Sequence, residues 1–194
     1  MVKHSIREEL YGVLTLVGLI WCVFVVGQVV PFRLESFGVT PRTRDGLVGV
    51  VAMPFLHADL AHLLANTFPL TILLLLLAGS KAEFWRIVIF IVALGGALLW
   101  LFGRSATHIG ASGLIYGLIA FLLLSGIWER RIVPMIVSVA VGILFGSVLL
   151  SGILPSSVSS VSWDGHLFGA IGGGVAAYLL IKRRNNAHAT GTSW

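Results

Sequence analysis

The side chains able to do chemistry fall in three short clusters: His57, Asp59, His62 and Asn66; Ser112 with Tyr116; and Asp164 with His166. A serine hydroxyl is a weak nucleophile until a neighbouring base takes its proton, and neutral imidazole does this near pH 7. Ser112 and His166 are the types that make such a pair. His57, His62 and His166 are also types that bind zinc or iron, so a histidine-metal membrane enzyme is an alternative. Against it, there is no His-Glu-x-x-His run, the carboxylates stand at the edges of the clusters, and Ser112 is left without a role. The expectation is no metal and no cofactor.

The elements that must position these residues follow from composition. The 194 residues are 57% hydrophobic and only 11% charged, with a mean hydropathy of +0.99. Soluble domains carry about 25% charged residues, so a soluble enzyme and a disordered regulator are both excluded. The charges leave uncharged windows at 10–32, 60–80, 87–103, 105–128, 132–163 and 165–181. A membrane helix needs about 17–25 apolar residues, and five windows fit one span each. The window 132–163 is too long for one span and too short for two. Its second part, 151–162, holds Pro155 and six serines, which predicts a helix to about Leu150 and then a loop. The stretch 46–58 is uncharged but short, with Pro54 and His57, and reads as part of a long loop or an interfacial segment. The prediction is an all-α membrane protein with six transmembrane helices, a single domain over 1–184 and a short disordered tail over 185–194.

The first window exceeds the apolar length of a signal peptide and no small-x-small cleavage site follows it, so it reads as a span. The lone Cys22 allows no internal disulfide. Lys3, Arg7, Lys81, Arg86, Arg130, Arg131, Lys182, Arg183 and Arg184 collect on one side, and Arg33, Arg42, Arg44 and Arg104 on the other. The positive-inside rule then predicts both termini cytoplasmic, in a multi-pass protein of the plasma membrane. The basic balance records topology rather than nucleic-acid binding.

In that arrangement the second, fourth and sixth spans all enter from the outer face, and they carry the three clusters. At about 1.5 Å per residue, His62, Asn66, Ser112 and His166 lie at similar depth. Polar groups within a bilayer face a cavity or one another. His62 and Asn66 share a helix face, as do Ser112 and Tyr116. Gly169 and Gly173 continue the face of His166, and Gly113 and Gly117 stand beside Ser112. Small residues let membrane helices approach closely, as a serine on one helix requires to reach a histidine on another. Asp164 lies two residues before His166, about 200° round the helix, and points away. Asp59 and Asp164 cap or flank helix starts. His108 is expected in a loop beside the site, and His4 and His188 in solvated tails.

The combined pattern resembles the rhomboid intramembrane serine proteases in their minimal six-helix form. The likeness rests on His57-x4-His62-x3-Asn66, on Gly110-Ala111-Ser112-Gly113 with Tyr116, and on His166-x2-Gly169-x3-Gly173, in this order along the chain. It implies that Ser112 is the nucleophile and His166 its base, a Ser–His dyad. Asn66, His62 and the Ser112 N–H would hold the oxyanion, Tyr116 would pack on the His166 ring, and His57 would support the outer loop. The implied activity is endoproteolysis in or near the outer end of the transmembrane helix of a single-span protein within the lipid bilayer. A rhomboid-like protein that binds membrane clients without cutting them is the other reading, although such proteins typically lack the serine or the histidine. Rhomboids often carry a Trp-Arg pair in the first outer loop, and here Gly46-Leu47-Val48-Gly49 stands in that region. Trp85-Arg86 starts the third span and is no substitute. Pro69, inside the second span, is read either as a kink or as a tolerated membrane proline.

Overall fold

The computed structural model describes residues 6–79, 83–155 and 162–182. The regular elements among the described residues are all helical, and six helices are long and apolar enough to cross a membrane. In chain order the helices are α1 (Ile6–Gly27), the short α2 (Gly46–Ala52), α3 (Leu60–Gly79), α4 (Phe84–Phe102), α5 (Ser112–Glu129), α6 (Ile132–Gly152) and α7 (Trp163–Ala177). A wider helical turn extends α7, so that this span runs Trp163–Ile181. All six spans expected from the charge spacing are present. The tail at 185–194, His4 and His188, and 156–161 of the serine-rich loop lie outside the described residues.

The boundaries differ from the uncharged windows for local reasons. α1 begins at Ile6 rather than 10, with Glu8 and Glu9 in its first turn, where carboxylates suit the positive end of the helix dipole. α5 begins only at Ser112, because Gly110 has a φ of +107° that no helix accommodates. Gly46–Phe55, read from sequence as loop or interfacial segment, is a short apolar helix. The Thr43 hydroxyl accepts from the Gly46 N–H at its start (3.1 Å), an N-terminal satisfaction of the kind caps provide. α3 runs through Pro69 without a break.

The loop from α1 to α3 lacks the Trp-Arg pair and is held by an arginine and a tryptophan from different elements. The Arg42 guanidinium donates to the carbonyls of Leu101 (3.3 Å) and Gly103 (2.9 Å) at the end of α4. The Trp100 indole donates to the Thr43 carbonyl (2.8 Å). Val39 and His108 exchange backbone hydrogen bonds of 2.9 and 2.8 Å, which ties this loop to the one before Ser112.

α5 is the central element, with 61% of its apolar window buried, whereas α6 buries only 17%. α5 and α7 meet backbone to backbone. A Cβ on Gly169 would overlap the Gly113 carbonyl, and one on Gly173 the Gly117 carbonyl. Rigid backbone cannot yield as a side chain can, so Gly173→Ala is expected to cost about 1–3 kcal/mol. Gly18→Ala, with open space around it, should leave stability unchanged or slightly raised. Unfolding of the two variants in detergent, side by side with the parent, measures this difference.

Candidate active site

The starts of α3, α5 and α7 and the end of α6 meet at one end of the bundle around a cavity of about 740 Å³. Its lining includes His62, Asn66, Ser112, Tyr116 and His166, with Phe145 and Val148 of α6 and Thr107, His108 and Ile109 of the preceding loop. The three polar clusters of the sequence therefore open into one space.

Each cluster is fixed by its local fold. Asp59 caps α3, its carboxylate accepting from the His62 N–H (2.7 Å). One turn on, the Asn66 side-chain amide donates to the His62 carbonyl (2.8 Å). That bond identifies the nitrogen of the amide, since a carbonyl only accepts. The His62 ring lies against Gly110, where a Cβ would stand 2.7 Å from Nε2. Gly110 is thus required twice, by its positive φ and by the imidazole above it. Ser112 opens α5, so its N–H is one of the first-turn donors without an intrahelical acceptor, at the positive end of the helix. A Cβ on Gly113 would stand only 3.3 Å from the Gly165 carbonyl, which brings the backbones beside Ser112 and His166 together. The His166 ring stacks on Tyr116 at 4.0 Å between centroids and 5° between planes. Its Nδ1 lies 3.0 Å from the Gly152 carbonyl, and the Tyr116 hydroxyl donates to the Val148 carbonyl (3.0 Å).

His57 is buried beside His62, with the rings edge to face at 5.0 Å. Neither of its ring nitrogens has a hydrogen-bond partner. Burial, reinforced by His62, lowers its pKa from 6.5 to about 4; the nearby Phe55 backbone offsets part of this without a hydrogen bond of ordinary geometry. Because the folded value lies below the unfolded one, the unfolded chain takes the proton first as pH falls. Stability conferred by the neutral ring is complete above about 6.5 and declines towards pH 4, by up to about 3 kcal/mol. His57→Phe keeps a ring of similar shape and is expected to flatten this decline, as unfolding at neutral pH and at about pH 5 would show. Among the described residues no three His, Cys, Asp or Glu side chains come together as a metal would need.

Spacing did not reveal a charged cluster behind the site. Asp164 flanks the start of α7 as expected, but the cap is Ser162, whose hydroxyl accepts from the Gly165 N–H (3.2 Å). The Asp164 carboxylate is buried and accepts from Arg104 through its backbone N–H (2.9 Å), Nε (3.3 Å) and Nη2 (3.2 Å). His108 is buried next to it, 2.6 Å from the Ser162 hydroxyl and 3.1 Å from the Arg104 carbonyl. Removing one partner of a buried pair leaves the other unsatisfied, so this cluster binds the loop before Ser112 to the start of α7.

Residues 44–183 match the Rhomboid domain family. An uncharacterized protein of Mycobacterium tuberculosis is 42% identical over 187 aligned residues, covering 91% of this chain and 77% of the relative. One of Mycobacterium leprae is 40% identical, with 91% and 73% covered. A protein of Acanthamoeba polyphaga mimivirus, which bears a rhomboid protein's name, is 32% identical over 145 residues, covering 72% of this chain and 78% of that one. The chain belongs to the rhomboid family, a family generally of intramembrane serine proteases. It is a multi-pass integral membrane protein.

Proposed function

We propose that the protein is an intramembrane serine endopeptidase that works through a Ser112–His166 dyad. The observation that carries this reading is the convergence of Ser112, His166, Asn66 and His62 on one cavity, with the His166 ring held flat against Tyr116. His166 takes the Ser112 proton as Oγ attacks the substrate carbonyl. The tetrahedral oxyanion is met by the Ser112 N–H, the second N–H of the Asn66 amide and His62. The imidazolium returns its proton to the leaving amine, and water, activated by the same base, then hydrolyses the acyl-enzyme. His57, Gly110, Gly113, Gly169 and Gly173 hold the site in shape. Residues 1–184 act as one bundle in the plasma membrane with both termini cytoplasmic, which puts the cavity at the outer surface. The substrates are single-span membrane proteins.

The test is labelling with a serine-directed fluorophosphonate, alongside cleavage of a panel of single-span substrates by the purified protein. The expected result is a label on Ser112, located by peptide mass, that disappears in His166→Ala. A label on a different serine would overturn the assignment of Ser112, and no label on a folded protein that also cuts nothing would mean a client-binding rhomboid-like protein instead.

A further inference from the structure

We infer that Gly152, which none of the sequence motifs includes, is a positioning residue for His166: its backbone carbonyl holds the imidazole in the tautomer that leaves Nε2 free to accept a proton. The inference rests on the dyad reading above and adds what orients its base. The last carbonyls of a helix lack intrahelical donors, and Gly152 is the final residue of α6. Its oxygen lies 3.0 Å from His166 Nδ1. A carbonyl can only accept, so Nδ1 carries the hydrogen, and in the neutral ring the lone pair is then on Nε2.

Among the described residues no carboxylate hydrogen-bonds the His166 ring. Asp164, the acid nearest in sequence, is committed to Arg104 and Ser162. The place that a carboxylate takes in a catalytic triad, fixing tautomer and ring orientation, is filled here by a neutral helix-end carbonyl. The stacking partner of the ring hangs on the same helix, since the Tyr116 hydroxyl donates to the carbonyl of Val148, one turn before Gly152. α6 thus holds the imidazole at its edge and, through Tyr116, on its face. The glycine itself is required, because a Cβ at 152 would overlap the Tyr116 hydroxyl and the adjacent ring carbon. Any other residue must displace either the ring beneath His166 or the helix end beside it. Gly146 on the same helix has open space around it and serves as the control.

The experiment is ¹⁵N NMR of the full-length protein labelled at histidine, in detergent, with His166 assigned by its loss in His166→Gln. The parent protein and Gly146→Ala are expected to show a protonated Nδ1 and an unprotonated Nε2. Gly152→Ala is expected to show mixed tautomers and a kcat about 100-fold lower, a loss larger than any change in KM that the shifted Tyr116 ring makes at the cavity wall. An Nε2-protonated ring in the parent, or a Gly152→Ala protein that keeps both the tautomer and kcat, overturns the inference. Should Gly152→Ala fail to fold, the spectrum of the parent decides alone. That spectrum needs no substrate, so a parent that cuts nothing refutes the protease reading while the tautomer still answers for Gly152.

Discussion

Ser112→Ala and His166→Ala are each expected to lower turnover of a single-span substrate by about 10⁴-fold or more, with helix content retained in both and unfolding unchanged in Ser112→Ala. A nucleophile and its base act as a unit, so the double variant should be no slower than either single one. The fold gives reason to expect intact variants. Ser112 is half-buried at the mouth of the cavity, and among the described contacts its hydroxyl makes no hydrogen bond that a methyl would break. His166 is different, because its loss vacates the face of Tyr116 and the Gly152 carbonyl. His166→Gln, which retains an amide donor, is therefore the better-folded control. Cleavage assays on the four purified variants, with circular dichroism of each, measure this. Substantial activity in Ser112→Ala would remove the proposed mechanism altogether.

The architecture was legible in the sequence because charges are scarce enough to punctuate it. Six uncharged windows became six spans, and polar side chains stood out within them. A window shows only where a helix is allowed, however. Nothing in 105–128 marks Ser112 as the first helical residue, since the loop after Arg104 is as free of charge as the helix. The residues gathered at the cavity were visible because a histidine or asparagine is conspicuous among leucines. Gly152 was not, because one more glycine in an apolar helix gives no polar signal, and its contribution is made by the backbone. Arg104 and Asp164 lie 60 residues apart, and Arg42 joins carbonyls about as far along the chain. Those partnerships depend on how two loops cross, which no periodicity encodes. In the first loop, Gly46-Leu47-Val48-Gly49 stands where rhomboids often carry a Trp-Arg pair. Arg42 and Trp100 tie the loop to the end of α4, contacts that no motif announces.

Cleavage is expected near the outer end of a substrate helix, after a small residue, and only where that helix unwinds easily. Water is a reactant, and the cavity opens at the end of the bundle where α3, α5 and α7 begin. In an intact helix the peptide carbonyls are hydrogen-bonded and shielded by side chains, so the target must enter as a strand, which frees the carbonyl that Ser112 attacks. Gly and Pro weaken a helix by about 1 and 3 kcal/mol relative to Ala. Replacing a Gly-Pro pair just below the cut with Leu-Leu should therefore slow turnover by up to about 10³-fold. Around Ser112 the packing is close: Ala111 is fully buried, and Gly110 and Gly113 lie against the His62 ring and the Gly165 carbonyl. Ala, Gly, Ser or Cys is therefore expected before the cut, and Leu in that place should cost about 10- to 100-fold. Cut sites mapped by mass spectrometry in a model helix, with these two replacements made separately, give both numbers. Efficient cutting of a uniform polyleucine helix would refute the unwinding requirement. Cuts clustered at the cytoplasmic end would refute both the depth assigned to Ser112 and the orientation of the bundle that the positive-inside count predicts.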